Sequence, residues 1–584
     1  MHLALVDLAL IFLVSVLAAV LCHRLNIPTA IGMLVGGALI GPDLLGLVHS
    51  VSTIEAVSEI GVVLLLFIIG LEFSIADLRY LKRQFLVGGT IQFFGTAAVV
   101  GIGSVLAGFS VAQSVYLGFV VALSSTAVVI KMLQDRGELQ SPHGRVTFAT
   151  LIFQDIAVVP VMLLGPLLAV AGATSALAGG AQAAGGEVLT EALTLVLKIA
   201  GVAALSWVAY RWVVPFVLDR VTRTRSQEAF LLTVILLCIG IAALTQTLGL
   251  SLALGAFLAG LIISESDYSH QAMALMMPLR DIFMALFFVS IGLMLDVHYV
   301  LAHPIQVALF TLGIIALKPL VGAVSALAVG LPLSGAVLSG LLLGQVGEFS
   351  FVVTRAGIDA GLLNAETFQI VLATAVLSMV LTPLLAAVGP RLTALLNRTP
   401  LECWEHRRFN AAAVIGEQHF SDHIVIAGFG ITGRAVAHAA REAGVPYAVL
   451  EVDALIVRKQ LDRGEPITYG DAALEPIALQ VGIDKARAVV ITISNLVAAR
   501  QATELARRLN REAFILVRTR NPREVPTLKA LGANAVVADE MEVSVEVLSR
   551  TLVHLGVGEE TVAALSAEVR NAVREANQPR AEVL

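Results

Sequence analysis

The sequence LIFQDIAVVP, at residues 151–160, places one carboxylate inside an otherwise apolar run. A charged side chain at bilayer depth is costly, and in membrane helices such residues generally face an ion pathway or a proton relay. Asp155 is therefore a candidate ion-binding residue, and the amide of Gln154 beside it is a candidate second ligand. The structural alternative is that Asp155 forms an internal ion pair with a buried lysine.

The composition places most of this chain in a lipid bilayer. Hydrophobic residues make up 57% of the sequence and charged residues 14%, whereas soluble domains carry about 25% charged residues. Apolar stretches of about 20 residues recur from Leu3 to about Leu396, and about thirteen of them are long enough to span a membrane. The net charge of −6 argues against nucleic-acid binding, which normally uses a basic surface.

Loop charges predict the orientation in the membrane. Lysine and arginine residues gather in alternate loops, at residues 79–83, 131–145 and 220–225. Because these residues collect on the cytoplasmic side, the pattern predicts that the N-terminus lies outside. An odd number of spans then places the C-terminal domain in the cytoplasm.

The span that precedes Asp155 carries three adjacent hydroxyl side chains, on Ser124, Ser125 and Thr126. Small hydroxyls can satisfy backbone groups where a membrane helix unwinds, so these residues are candidate cation ligands. The alternative is that each hydroxyl bonds the backbone of its own helix.

A similar interruption is predicted later in the chain. In GQVGEF, at residues 344–349, glycines bracket Gln345 and Glu348 in the middle of a span. Interrupted helices in corresponding positions of two halves point to a transporter site. The two groups of three spans, roughly 84–170 and 303–394, therefore predict an inverted repeat, with Gln345 and Glu348 as further candidate ion ligands.

Lys318 is a third polar group at membrane depth, in the middle of a span and directly before Pro319. A buried lysine needs a partner or a lowered pKa. Asp155 is the obvious partner, and Lys318 is therefore included in the candidate ion site. The alternative is that its side chain reaches the membrane interface.

The composition changes after about residue 398, which predicts several domains. We expect a membrane domain at 1–398, a polar linker at 399–421, an α/β domain at 422–545, and a C-terminal helix and tail at 546–584. Short apolar strands alternate with amphipathic helices in the third segment, which favours a parallel sheet with flanking helices.

A nucleotide-binding loop is predicted at the start of the α/β domain. The sequence AGFGITG, at residues 427–433, directly follows a strand and opens a helix, and Glu451 ends the next strand. This context completes the dinucleotide fingerprint, in which the acidic residue bonds the ribose hydroxyls and favours NAD or an adenosine nucleotide over NADP. The alternative is a Rossmann-like domain that has lost its ligand. The predicted loop residues are Gly428, Phe429, Gly430, Ile431, Thr432 and Gly433.

Together, these residues resemble the cation:proton antiporter-2 family, and in particular its Kef-type potassium efflux transporters. The motifs that carry the resemblance are GLEF at 70–73, SSTA at 124–127, FQD at 153–155, LGAFLAG at 254–260, FFVSIG at 287–292, GEF at 347–349, the glycine loop, and YGDA at 469–472.

The resemblance implies a homodimer through both the membrane and the soluble domains, in a bacterial-type inner (plasma) membrane. In this family a core bundle moves against a dimerisation bundle, and two broken helices cross beside an essential aspartate that maps to Asp155. The soluble part resembles a TrkA-N domain that gates transport, with Gly470, Asp471 and Arg518 joining the nucleotide site. An ancillary cytoplasmic regulator is also expected.

Two departures from the Kef pattern argue against glutathione gating. Residues 269–278 lack the acidic residues with which Kef-type proteins hold the gate. Ile431 stands where glutathione-gated members carry an arginine.

We therefore expect a secondary transporter, not an enzyme, that exchanges a monovalent cation for H+. K+ is favoured, with Na+ as the alternative, and the effector is AMP, ATP or NAD(H). A nucleotide-gated cation channel is a weaker alternative, because no segment resembles the Thr-Val-Gly-Tyr-Gly filter of potassium channels. A membrane-anchored NAD-dependent oxidoreductase is also disfavoured, since no further domain would hold an organic substrate.

Overall fold

The structure is a computed structural model that describes two parts of the chain. These are residues 2–396, with gaps at 26, 49–50, 73–80, 140, 178–193, 195–200, 203 and 249–251, and residues 421–576. The chain divides into two compact units, Met1–Leu395 and Leu396–Leu584. The linker predicted at 399–421 lies outside the described residues except for Ser421.

The described part of the first unit is built from helices. In chain order they are α1 (His2–Leu25), α2 (Thr29–Ile40), α3 (Val51–Glu72), α4 (Gln84–Leu106), α5 (Val111–Ala122), α6 (Thr126–Asp135), α7 (Pro142–Leu177), α8 (Val214–Thr222), α9 (Gln227–Thr247), α10 (Leu252–Ser264), α11 (Ser269–Leu293), α12 (Val297–Ala302), α13 (Pro304–Ala328), α14 (Leu333–Leu342), α15 (Phe349–Asp359) and α16 (Ala365–Leu396).

By length and composition, eight of the described helical stretches can cross a membrane, and four shorter apolar helices accompany them. This finding confirms a polytopic α-helical membrane protein. The helix count differs from the span count because several apolar stretches form helices that are short or broken, as in α2, α10 and α14. Much of the span predicted at 188–218 lies outside the described residues.

One group of helices packs with backbone against backbone. Gly37 of α2 faces Val289 of α11, where an added Cβ would lie 2.1 Å from the carbonyl oxygen. Gly70 of α3 faces Phe257 of α10 in the same way, at 2.3 Å. Small residues allow such close approach between membrane helices. Helices α2, α3, α10 and α11 therefore form one tightly packed group.

The predicted repeat is present as two sets of the same three elements. Helix α4, the interrupted pair α5–α6 and the long α7 form the first set, and α13, the interrupted pair α14–α15 and the long α16 form the second. The interruptions occupy residues 123–125 and 343–348, where the sequence analysis places polar side chains within apolar runs. The breaks position the candidate site.

The second unit contains a six-stranded sheet in the order β3-β2-β1-β4-β5-β6, and all neighbouring strands are parallel. The strands are β1 (Ile424–Ala427), β2 (Tyr447–Glu451), β3 (Ile467–Tyr469), β4 (Ala488–Ile491), β5 (Phe514–Thr519) and β6 (Ala535–Ala538). This is the doubly wound order of dinucleotide-binding folds, with its switch point between β1 and β4.

Helices flank the sheet and continue past it. They are α17 (Ile431–Glu442), α18 (Ala454–Leu461), α19 (Glu475–Gln480), α20 (Leu496–Leu509), α21 (Val525–Ala530), α22 (Asp539–His554) and α23 (Glu559–Ala576). Aliphatic side chains of the central strands, such as Val425 and Ile515, are fully buried between the layers. Strands β3 and β6, of three and four residues, were not predicted from the sequence.

Candidate functional site

The two helix interruptions meet in the interior of the membrane unit. The Gly347 amide donates to the Leu123 carbonyl oxygen at 3.0 Å, which joins one break directly to the other. The Ser124 hydroxyl donates to the Leu343 carbonyl oxygen at 3.0 Å and adds a second link. Ser124 and Gly347 lie in the stretches predicted to unwind, and the breaks are joined by one main-chain hydrogen bond and one from a side-chain hydroxyl.

Gly347 is required at this crossing for steric reasons. A Cβ at this position would lie 2.4 Å from the Ser124 carbonyl carbon and 2.6 Å from the Ser125 nitrogen. Both obstructing atoms belong to the backbone, so no side-chain rotation relieves the clash.

We therefore expect Gly347→Ala to lower the thermal stability of the full-length protein in detergent. Overpacking of this kind costs about 1–3 kcal/mol, and the rigid backbone on both sides favours the upper end. Gly313→Ala in α13 is the matched control, because a Cβ there meets no atom of the described part of the chain within 4 Å. Equal melting temperatures for the two variants would contradict the close crossing.

Lys318 of α13 places its ammonium group beside the crossing, where it bonds carbonyl oxygens of both breaks. Its ammonium is fully buried and donates to the carbonyl oxygens of Leu123, at 2.8 Å, and Gln345, at 2.6 Å. These carbonyls follow the C-terminal ends of α5 and α14, where the helix dipole leaves partial negative charge. The sequence analysis expected a carboxylate partner, and the structure instead directs Lys318 to main-chain oxygens of both breaks.

A pair of buried amides completes the first break. Gln154 Oε1 accepts a hydrogen bond from the Ser124 amide at 2.7 Å, and Gln154 Nε2 donates to Gln92 Oε1 at 2.5 Å. Gln92 Nε2 in turn donates to the Ala122 carbonyl oxygen at 3.4 Å. Unwound backbone in a membrane must be satisfied by such groups, so Gln154 holds the break in shape. Gln92 was missed by the sequence analysis, and its signal is an amide in the middle of the apolar α4.

The Asp155 side chain, on α7, lies beside the N-terminus of α6, the helix that follows the first break. The Thr126 hydroxyl donates to both carboxylate oxygens, at 3.0 and 3.1 Å, and Thr126 is the first residue of α6. Asp155 is partly exposed, in contrast to the fully buried Gln154 beside it. A carboxylate at a helix N-terminus is electrostatically favoured, and its partial exposure leaves the carboxylate accessible to an ion.

Glu348 and Gln345 of the second break face the same region. Glu348 accepts a hydrogen bond from the Ala127 amide at 3.4 Å, and Gln345 Nε2 donates to the Ser125 carbonyl oxygen at 3.4 Å. Gln345 Oε1 is buried without a hydrogen-bond partner among the residues that the structure describes. The crossing thus brings together all eight residues that the sequence analysis assigned to an ion site.

In the second unit, the three glycines of the predicted loop have different surroundings. Gly428 has a φ of +98°, which an L side chain rarely adopts, and a Cβ on Gly433 would lie 2.0 Å from the Gly428 carbonyl oxygen. A Cβ on Gly430 would meet no atom of the described residues within 4 Å. The first and third glycines therefore serve the fold, whereas the space at Gly430, just before the N-terminus of α17, is open to an anion.

Glu451 holds the glycine loop in place. One carboxylate oxygen accepts from the Phe429 amide at 2.6 Å and the other from the Asp453 amide at 2.9 Å. Burial raises the pKa of the Glu451 carboxyl above its ordinary value, and these main-chain donors oppose that effect. Each carboxylate oxygen of Glu451 has a further lone pair that these two bonds do not use. The predicted hydrogen bond from a ribose hydroxyl would be accepted there.

The other predicted nucleotide residues lie at the carboxyl ends of two strands on opposite sides of β1, since Gly470 and Asp471 follow β3 and Arg518 is in β5. The Gly470 amide donates to the Glu451 carbonyl oxygen at 3.0 Å, and Asp471 caps the next turn through the Ala473 amide at 2.9 Å. Burial raises the pKa of Asp471. Arg518 forms an ion pair with Asp539 and lines a cleft with Ile493. This cleft and the glycine loop both lie at the carboxyl edge of the sheet, where such folds bind ligands.

Comparison with known proteins identifies both units. The transmembrane sodium/hydrogen exchanger family matches residues 9–387, and the TrkA-N domain family matches residues 424–539. This chain belongs to the sodium/hydrogen exchanger family. It is a multi-pass membrane protein and a cation:proton antiporter of the Kef type, with a C-terminal TrkA-N domain.

Two curated relatives match nearly the whole antiporter. The putative K(+) efflux antiporter KefB of Alkalimonas amylolytica is 34% identical, over 96% of this chain and 83% of that protein. The glutathione-regulated potassium-efflux system protein KefC of Klebsiella pneumoniae is 30% identical, over 94% of this chain and 85% of that protein. Among solved structures, the sodium proton antiporter of Methanocaldococcus jannaschii is 17% identical with a TM-score of 0.46, covering 67% of this chain and 99% of that one.

Proposed function

We propose that this antiporter exchanges K+ for H+ and that both ions bind at Asp155. The observation that carries the proposal is the Asp155 carboxylate at the crossing, partly exposed and held by Thr126 at the start of α6. The names of the two curated relatives, both potassium efflux proteins, favour K+ over Na+.

The coupling rule follows from the cost of burying charge. A bare carboxylate that enters a low-dielectric barrier loses several kcal/mol of solvation. A proton or a monovalent cation cancels the charge, so only the neutralised site crosses the barrier at an appreciable rate. Because the two ions compete for one carboxylate, movement of one in each direction is obligatory.

The ligand set of the cation is built around Asp155. Thr126 adds a hydroxyl, and the buried Gln345 Oε1, which has no partner among the described residues, is available as a neutral ligand. Gln154 and Lys318 act as positioning residues, since their polar atoms are engaged by the main chain of the breaks.

Purified protein in lipid vesicles tests the choice of cation. Fluorescence dequenching of a pH-sensitive dye is measured after K+, Na+ or Rb+ is added in turn. We expect K+ to produce the fastest dequenching at subsaturating concentration. Equal or faster dequenching with Na+ would overturn the assignment to K+ while leaving cation:proton exchange intact.

We further propose that an adenine nucleotide binds the TrkA-N domain and gates exchange. AMP, ATP and NAD(H) all offer the phosphate that fits the open space at Gly430 and the ribose that can reach Glu451. The family resemblance supports a homodimer, a cytoplasmic C-terminal domain and an ancillary cytoplasmic regulator. The departures at 269–278 and Ile431 support gating by nucleotide without glutathione.

Gly430→Ala separates ligand binding from folding. A methyl group at this position meets no atom of the residues that the structure describes, so the domain is expected to fold normally, but the methyl occupies the proposed space of the phosphate. We expect AMP affinity, measured calorimetrically on the full-length protein, to fall at least about tenfold, which corresponds to about 1.4 kcal/mol. Gly558→Ala is the matched control, since its Cβ also meets open space. Unchanged AMP affinity in Gly430→Ala would exclude the glycine loop as the phosphate site.

A further inference from the structure

A cluster of three metal-ligating side chains lies away from the ion site. Asp43 follows α2, and Asp296 and His298 lie where α11 leads into α12. One ligand atom of each side chain lies within 4.8 Å of the ligand atoms of the other two. The nearest pair of His298 and Asp43 atoms is His298 Nδ1 and Asp43 Oδ1, at 3.9 Å.

Main-chain donors fix the two carboxylates and leave ligand atoms available. Asp43 Oδ2 accepts from the Val297 amide at 3.1 Å, and Asp296 Oδ1 accepts from the Tyr299 amide at 2.8 Å. In the part of the chain that the structure describes, the other oxygen of each carboxylate, Asp43 Oδ1 or Asp296 Oδ2, accepts no hydrogen bond and can serve as a ligand. The His298 side chain is 78% exposed, so its imidazole is free to turn toward those oxygens.

The donor set selects a class of metal ion. Two carboxylate oxygens and one imidazole nitrogen, with water in the fourth position, suit Zn2+ and related late first-row ions. Ca2+ prefers six to eight oxygen ligands, and an imidazole in the set disfavours it. The ligand atoms need to approach by about 1 Å to reach tetrahedral distances around Zn2+, which the exposed histidine permits.

The cluster lies at a connection between the two groups of helices. Helices α2 and α11 belong to the glycine-packed group, and α12 leads to α13, whose Lys318 holds the crossing. Gln369 of α16 accepts from the Asp296 amide at 3.1 Å and donates to the Met294 carbonyl oxygen at 3.1 Å. The α11–α12 connection is therefore attached both to the glycine-packed helices and to the helices of the repeat.

We propose that Asp43, Asp296 and His298 bind one divalent cation of the Zn2+ class, and that the bound ion slows exchange. The ion joins the loop after α2 to the α11–α12 connection and stiffens the link between the two helix groups. The inhibitory part of the proposal rests on the proposed function and on the movement of one helix bundle against the other that the family resemblance implies, whereas metal binding itself does not.

Binding is measured on purified full-length protein whose affinity tag has been removed, because polyhistidine tags bind zinc. Competition between the protein and a fluorescent chelator for Zn2+ is expected to show one site per chain. We expect His298→Ala to lower the Zn2+ affinity at least about tenfold, since even loss of an outer-shell partner lowers metal affinity about 10–100-fold. Asp296→Asn is expected to do the same without unfolding, because asparagine caps α12 as well as aspartate.

His303→Ala is the matched control. His303 is exposed on the same side of the fold and stacks on Tyr299 at 4.6 Å, outside the cluster. Its variant should bind Zn2+ as the wild type does. Equal Zn2+ affinity in the wild type, His298→Ala and Asp296→Asn would overturn the site, and competition by Ca2+ at equal concentration would overturn the metal class.

Inhibition is tested in vesicles with Zn2+ on both sides of the membrane. Wild-type exchange should slow as the site fills, whereas His298→Ala should keep the rate that it has without added zinc. Failure of the proposed K+ exchange would appear as absent dequenching without zinc and would leave the chelator result unaffected. Zinc binding with no change in the wild-type exchange rate would overturn the proposal that the bound ion slows exchange.

Discussion

Replacing Asp155 with asparagine is expected to reduce cation-driven proton movement in vesicles at least about 100-fold. The substitution removes the charge that both ions share but keeps an oxygen that can accept from Thr126. A loss of about 3 kcal/mol in cation binding corresponds to about 100-fold, and neutralising a carboxylate at a low-dielectric site exceeds that amount. The variant should therefore fold normally and fail to exchange.

Asp281→Asn provides the matched control for Asp155→Asn. Asp281 lies on α11, and its side chain is 75% exposed, so the same change of charge occurs away from the crossing. Its exchange rate should remain close to the wild-type value. Cation-dependent dequenching that survives in Asp155→Asn would exclude Asp155 as the shared ion site.

Replacing Lys318 with methionine is expected to destabilise the membrane unit by about 2–4 kcal/mol. The two carbonyl oxygens of Leu123 and Gln345 lose their buried donor, and each unsatisfied buried group costs about 1–3 kcal/mol. The C-terminal dipoles of α5 and α14 would also face each other without a cation. Relief of the buried ammonium offsets part of this loss, which keeps the expected change within that range.

Thermal unfolding in detergent distinguishes this effect from a general loss of charge. Lys318→Gln keeps N–H donors at the same place and should lose less stability than Lys318→Met. Lys131→Met is the control, because Lys131 is exposed and, among the described residues, its ion pair is with Asp135 one helical turn away. A melting temperature of Lys318→Met equal to that of Lys131→Met would contradict a structural role for the two carbonyl bonds.

Much of the candidate ion site could be predicted from the sequence because its residues are conspicuous. Asp155 and Lys318 are charged groups in apolar runs, and the glycines around Gln345 mark a break in a helix. Each signal depends only on neighbours along the chain and on the cost of polarity in lipid. Gln92 was missed, since a single amide in an apolar helix has many structural explanations.

The partners of these residues could not be predicted. Lys318 bonds the carbonyl oxygen of Leu123, 195 residues away in sequence, and main-chain carbonyls carry no sequence signal. Glu451 is a second example. Its carboxylate accepts hydrogen bonds from the amides of Phe429 and Asp453, and main-chain amides also carry no sequence signal. The three side chains of the proposed zinc site come from two distant segments for which the sequence analysis proposed no role.

The sequence by itself determined the class of this protein: a polytopic membrane unit with a carboxylate, Asp155, inside an apolar helix, followed by a parallel Rossmann-like sheet. Hydropathy, helix breakers and the glycine spacing are local properties, and each remains visible in a linear chain. Only the tertiary structure decided how the two broken helices are arranged near Asp155. Two unwound segments cross at Gly347, and the freed main-chain groups bond Lys318, Gln154 and Ser124. Where a helix unwinds, the direction of each carbonyl is set by packing, because hydrogen bonds within the helix no longer hold it.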